Sequence, residues 1–150
     1  MPRYKLTIEY DGRPFAGWQR QADQPSVQQS LEDAAASLNG GPVTVQGAGR
    51  TDARVHGTGQ VAHLDLQKDL PADKVMDAIN FHLKPAAVAI IKSERADDEF
   101  HARFDAKERH YLYRISNRRA PLTLDAGLAW RVSSELDYEA MHAAAQALVG

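Results

Sequence analysis

Tyr4, Leu6, Ile8 and Tyr10 alternate with Lys5, Thr7, Glu9 and Asp11. This two-residue period marks a half-buried strand, and Asp11-Gly12 ends it. After a polar stretch to Pro25, Ser26 followed three residues later by Gln29 has the form of a capping box. Val27, Leu31, Ala34, Ala35 and Leu38 then recur at helical spacing until Asn39-Gly40-Gly41-Pro42 stops the helix. Residues 43–49 and 60–66 read as strands, joined by a compact connection containing Gly and Arg. Pro71 opens a second helix through Val75, Ile79 and Leu83. Lys84-Pro85 closes it, because a residue before proline avoids the α region. Residues 88–93 supply a fourth strand.

The order β-α-β-β-α-β predicts an α+β fold: the ferredoxin-like split unit, an antiparallel sheet with both helices on one face. The other face is left open, as RNA-recognition domains use it. Residues 101–117 contain a further strand, with Tyr111, Tyr113 and Ile115 on one face and His110, Leu112 and Arg114 on the other. Residues 126–132 form a shorter one, and Asp137 caps a last helix that turns Met141, Ala144, Ala145 and Leu148 inward, with Gly150 at its close. The chain of 150 residues is expected to be a single domain, with residues 1–96 as the ferredoxin-like unit and 97–150 as the start of a second half. A domain that stops at an amphipathic helix with edge strands uncovered reads as cut short, and such edges invite self-association.

Composition narrows the function classes. With 43% apolar and 25% charged residues the chain is neither disordered nor collagen-like. No run approaches the roughly 18 apolar residues of a membrane span. The amino terminus has no apolar signal core, which points to the cytoplasm. Zero cysteines remove thiolate metal sites, disulfides and cysteine nucleophiles together. The net charge of −2 hides a basic strip at residues 101–119, where six Arg or Lys stand against Asp105 and Glu108. Such a strip tracks phosphates or is a solvated strand face.

The stretch Gly47-Ala48-Gly49-Arg50-Thr51-Asp52-Ala53-Arg54-Val55-His56-Gly57 is the richest in chemistry. Its glycines allow close backbone approach, and its two arginines offer planar forks for phosphate or carbonyl oxygens. A carboxylate flanked by guanidinium groups should stay ionised, and a positioned anion serves as nucleophile or base. The alternative is an Asp52 that anchors its own turn. Trp18 reads equally as an RNA-stacking residue or a packing anchor. His56 shuttles protons or braces the loop, and His63 with Asp65 forms a metal pair only if a third ligand joins them.

Gly49-Arg50-Thr51-Asp52-Ala53 followed by Val55-His56 resembles the central motif of the tRNA pseudouridine synthase A family. Tyr10-Asp11-Gly12, Phe15 and Gly17-Trp18-Gln19 resemble its amino-terminal motif; Phe100-His101-Ala102-Arg103-Phe104 and the strand of Arg109, Tyr111, Tyr113 and Ile115 resemble two others in order. The resemblance implies half of a pseudouridine synthase catalytic fold. The activity it implies is isomerisation of uridine to pseudouridine at positions thirty-eight to forty, in the anticodon arm of tRNA. It implies Asp52 as the catalytic carboxylate, Arg50 as the residue that helps displace the target base, and Tyr111 as the aromatic that stacks on the uracil. Arg54, Arg103, Arg109 and Arg114 are candidate RNA contacts. No metal or other cofactor is expected. The partners implied are tRNA and, for the full-length protein, a second copy of itself, while the 150-residue chain alone is expected to be inactive. The family usually has Gly where this chain has Arg54, which either points to phosphate or requires a different turn. The competing expectation is a non-catalytic RNA-binding module on the open sheet face.

Overall fold

The alternation of β1 (Arg3–Tyr10) places Tyr4, Leu6, Ile8 and Tyr10 in the core of a computed structural model that describes residues Met1–Gly150. β1 pairs antiparallel with β3 (Gly57–Asp65) on one side and with β4 (Val88–Ala96) on the other. The short β2 (Gln46–Gly47) joins the outer edge of β3, giving the sheet order β2-β3-β1-β4. This is the split β-α-β-β-α-β arrangement expected, antiparallel throughout.

Helix α1 (Val27–Asn39) starts where the Ser26 side chain accepts the Gln29 N–H and ends at Gly40, whose φ of 76° is left-handed. Helix α2 (Ala72–Leu83) follows Pro71 and stops at an extended Lys84. Val27, Leu31, Ala34 and Ala35 of α1 and Val75, Ile79 and Leu83 of α2 share one core with Tyr4, Leu6 and Ile8, so both helices cover the same sheet face. Each large apolar side chain buried there stabilises the fold by roughly 1.5–3 kcal/mol.

Three strands of this sheet differ in extent from expectation, β3 starting at Gly57 and ending at Asp65 where 60–66 was expected. β2 has two residues where 43–49 were expected. Val43 and Val45 are buried, yet the Val45 N–H goes to Glu32 Oε1 (3.1 Å) and its carbonyl to Gln28 Nε2 (2.9 Å). Side chains of α1 thus take the main-chain groups a ladder would have used. β4 runs on to Ala96 because β1 offers it partners along its whole length.

The chain forms two compact units, Met1–Glu108 and Arg109–Gly150. The segment 97–108 belongs to the first, beyond the boundary at 96. Arg3 Nη1 donates to the carbonyls of Asp98 (2.6 Å) and Phe100 (2.8 Å), and the Ala102 N–H to His63 Nδ1 (3.1 Å).

The second unit contains a parallel pair, β5 (Ile115–Asn117) and β6 (Trp130–Val132), and helix α3 (Tyr138–Ala145), followed by a 3₁₀ turn at Gln146–Leu148. The later strands make their own two-stranded sheet and do not extend the first. Residues 109–114 are irregular, so Tyr111 and Tyr113 lie outside a strand; a strand persists only where a neighbour takes its backbone groups. Asp137 caps α3 as expected, through the Ala140 N–H (3.0 Å). The inward stripe is overturned: no residue of α3 is buried, Met141 is exposed, and so is Leu148 in the turn beyond. Gly150 does not close the helix, which tightens into the 3₁₀ turn ending before Val149. No helix is long and apolar enough to cross a membrane.

Candidate active site

The connection from β2 to β3 is stitched to the segment after β1. The Trp18 N–H donates to the Thr51 carbonyl (3.0 Å), the Arg54 N–H to the Phe15 carbonyl (3.3 Å) and the Gly12 N–H to His56 Nδ1 (3.0 Å). The Tyr10 and Thr51 hydroxyls are 2.8 Å apart. The segments meet so closely that a Cβ on Gly12 would lie 2.0 Å from the Val55 carbonyl oxygen. At Gly17, with φ of +118°, a Cβ would lie 2.7 Å from the Thr51 oxygen. Glycine is the residue that both the contact and the backbone angle permit there. The Val27 N–H donates to the Gly17 carbonyl and the Gln28 N–H to the Trp18 carbonyl, tying the arrangement to the first turn of α1.

On this base Asp52 begins a tight turn, its carbonyl accepting the Val55 N–H (3.2 Å). Its side chain is exposed and has no hydrogen-bond or ion-pair partner, so it does not anchor the turn. Arg50 and Arg54 are exposed and form no ion pair with it, contrary to the expected flanking pair. Arg54 adopts φ of 69°, in the left-handed region that costs an ordinary residue about 1–2 kcal/mol. The turn therefore keeps a glycine-like backbone although its residue is arginine.

Several alternatives resolve. Trp18 is a packing anchor, 2% exposed, with its ring 6.0 Å from that of Tyr10 and under Gly47, where a Cβ would lie 2.7 Å away. His56 braces the loop by accepting the Gly12 N–H at Nδ1. Its Nδ1 lies 3.3 Å from Asp11 Oδ1, and hydrogen bonds from Arg13 pull the Asp11 carboxyl down to about 2. His63 and Asp65 form no metal pair. Asp65 is gripped by Arg3 through two bonds of 2.8 Å, which lowers its pKa, and the His63 Nδ1 is occupied by Ala102. Burial pushes the His63 pKa down, with the charges of Arg3 and His101 adding to it.

The remaining predicted residues are distributed along the chain. Arg103 lies in the turn whose Asp105 N–H donates to the His101 carbonyl (2.9 Å), within the first unit. Arg109, Tyr111 and Arg114 lie in the second. Tyr111 is 67% exposed and Tyr113 88%, so neither is a core residue of its unit. Arg114 faces Asp125 (3.3 Å), and Arg118 turns to the carbonyls of Ala120 and Pro121, which removes part of the basic strip from the phosphate-binding inventory.

Two contributors escaped the sequence reading. Tyr10 is expected as strand core and as part of the amino-terminal motif, with no role for its hydroxyl, although a hydroxyl at the end of an otherwise apolar face was the available signal. Glu32 lies buried on α1, taking Arg20 (2.7 Å), Gln28 (3.2 Å) and the Val45 N–H. Its spacing four residues after Gln28 was the only hint.

A family profile described as tRNA pseudouridine synthase matches residues 6–105. A protein of Maricaulis maris named tRNA pseudouridine synthase A is 68% identical over all 150 residues of this chain, which cover 60% of that protein. Proteins of the same name from Hyphomonas neptunium and a Bradyrhizobium species are each 59% identical over the whole chain, which covers 60% and 61% of them. The chain thus spans about three fifths of the length of the curated relatives it matches. The match includes the loop of Asp52 and the strands that carry it: the chain belongs to the tRNA pseudouridine synthase family.

Proposed function

We propose that this chain is the amino-terminal portion of an enzyme that isomerises uridine to pseudouridine in tRNA, acting at positions thirty-eight to forty of the anticodon arm. In this reaction the N1–C1′ bond breaks and a C5–C1′ bond forms. C5 loses its proton to solvent and N1 gains one, so nothing is oxidised and no group enters or leaves. The observation that carries the reading is the state of Asp52: an exposed carboxylate, without a protein partner, on a turn fixed by main-chain bonds from two other segments.

Addition to the base, attack at C1′ and assisted elimination to a glycal all require an anion beside the sugar and the base. Asp52 supplies it, and its short side chain follows its backbone closely. Arg50 enters the space the displaced base vacates, against an extrusion cost of a few kcal/mol. Tyr111 stacks on the extruded uracil, a contact worth about 1–3 kcal/mol, and so offsets that cost. Arg54, Arg103 and Arg109 meet backbone phosphates, which makes binding fall steeply as salt rises. The whole protein acts as a homodimer in the cytoplasm, and residues 1–150 alone do not turn over.

The test is release of tritium from tRNA carrying 5-tritiated uridine. In the whole protein, Asp52→Asn is expected to lower the rate at least about a hundredfold while leaving tRNA affinity within about twofold. An unchanged rate would refute the catalytic role of Asp52, whereas no tritium release from the unsubstituted whole protein would return the chain to the reading of an RNA-binding module.

A further inference from the structure

The turn that carries Asp52 is held at the residue before it. Thr51 makes three contacts of different kinds: its carbonyl accepts the Trp18 N–H, its hydroxyl meets the Tyr10 hydroxyl at 2.8 Å, and its main chain lies against Gly17 so closely that no Cβ fits between them. Asp52 itself has only the Val55 N–H on its carbonyl. An aspartate has two side-chain torsions, so the course of the main chain at Thr51 sets where its carboxylate stands.

We infer that Tyr10 is a positioning residue for Asp52, acting through the Thr51 hydroxyl. This rests on the proposed role of Asp52. The Tyr10 ring has an evident packing task, since it is 5% exposed and lies against Gly57, where a Cβ would meet the ring at 2.6 Å, and near Trp18. A phenylalanine would fill that space equally well, so packing does not account for the hydroxyl. The hydroxyl spans from the end of β1 to the residue before the carboxylate, across 41 positions of sequence. Thr51 is half-buried, and without Tyr10 its hydroxyl loses the partner that fixes its rotamer. Misplacement of a catalytic group by 1 Å costs up to about a hundredfold in rate. Loss of one of three tethers is a smaller disturbance.

The experiment uses the whole protein, tritium release and three variants, with Asp52→Asn run beside them. Tyr10→Phe and Thr51→Val are each expected to lower kcat about tenfold with KM for tRNA unchanged. The double variant should be no slower than either single one, because both remove the same bond. Thr51→Ser, which keeps the hydroxyl, should recover most of the loss seen in Thr51→Val. A purely structural hydroxyl would lower the melting temperature and leave kcat of the folded enzyme at the wild-type value, and that result overturns the inference. An effect confined to KM also overturns it. Should Tyr10→Phe fail to fold, the contrast between Thr51→Val and Thr51→Ser tests the same bond. If Asp52→Asn turns over normally, it is the catalytic role of Asp52 that fails; if Asp52→Asn is inactive while Tyr10→Phe and Thr51→Val match wild type, the positioning role alone is lost.

Discussion

Helices α1 and α3 both carry an apolar stripe and a side-chain cap, yet they meet different fates. Val27, Leu31, Ala34 and Ala35 of α1 are buried against β1, β3 and α2, while no residue of α3 is buried. The same contrast holds for tyrosines: Tyr4 and Tyr10 sit in the core of the first unit, while Tyr111 and Tyr113 stand exposed in the second. The second unit is held by polar clasps. Asn117 Nδ2 donates to the carbonyls of Val132 (2.9 Å) and Ser134 (2.6 Å), and its Oδ1 accepts the Leu136 N–H (3.1 Å) and the Tyr138 hydroxyl (3.0 Å). An amphipathic pattern therefore announces which face would be buried, and burial follows only where a surface is present to receive it.

The contrast breaks most visibly under core truncation. Leu31→Ala should destabilise the first unit by about 2–5 kcal/mol, read by chemical denaturation. Met141→Ala should stay within about 0.5 kcal/mol; an equal cost at both positions would mean that α3 packs against something. Asn117→Ala probes the other side of the comparison. It removes four hydrogen bonds that each contribute about 0.5–1.5 kcal/mol, and should raise amide exchange at Leu136 while leaving the sheet of β1, β3 and β4 protected.

Acidification distinguishes the units further. Burial holds the His63 pKa below the ordinary 6.5, so the unfolded chain binds the extra proton first. The stability His63 contributes is complete above 6.5 and declines as pH falls through the window beneath it. Amide exchange at Ala102, which donates to His63, should accelerate there, at a cost of about 1 kcal/mol, while Leu136 shows no such step. A small effect of opposite sign is expected at Arg54→Gly. Relief of the left-handed backbone, less the entropy cost of glycine, should stabilise the first unit by about 0.5–1 kcal/mol in a melting experiment.

What could be read in advance depended on the range of the interactions involved. β1, α1 and α2 follow from local periodicity and from Ser26 and Pro71 at their starts, and the fold honours them. β2 was misjudged because Glu32 and Gln28, far away in sequence, claim the main-chain groups of Val45. The strand expected around Tyr111 failed for want of a neighbouring strand. Asp52 was legible as a motif, but its unpartnered carboxylate was not, since two arginines beside it in sequence suggested ion pairs that the fold does not make. The bond between Tyr10 and Thr51 belongs to the same class: only folding brings those hydroxyls together.

The bonds that shape the Asp52 turn come from β1, from the segment of Gly17 and Trp18, and through it from the first turn of α1. A site assembled from three separate stretches is lost when any one of them loosens, whereas the long ladders of β1 need a much larger opening. Under mild denaturant, function should therefore vanish at concentrations where the sheet is still intact.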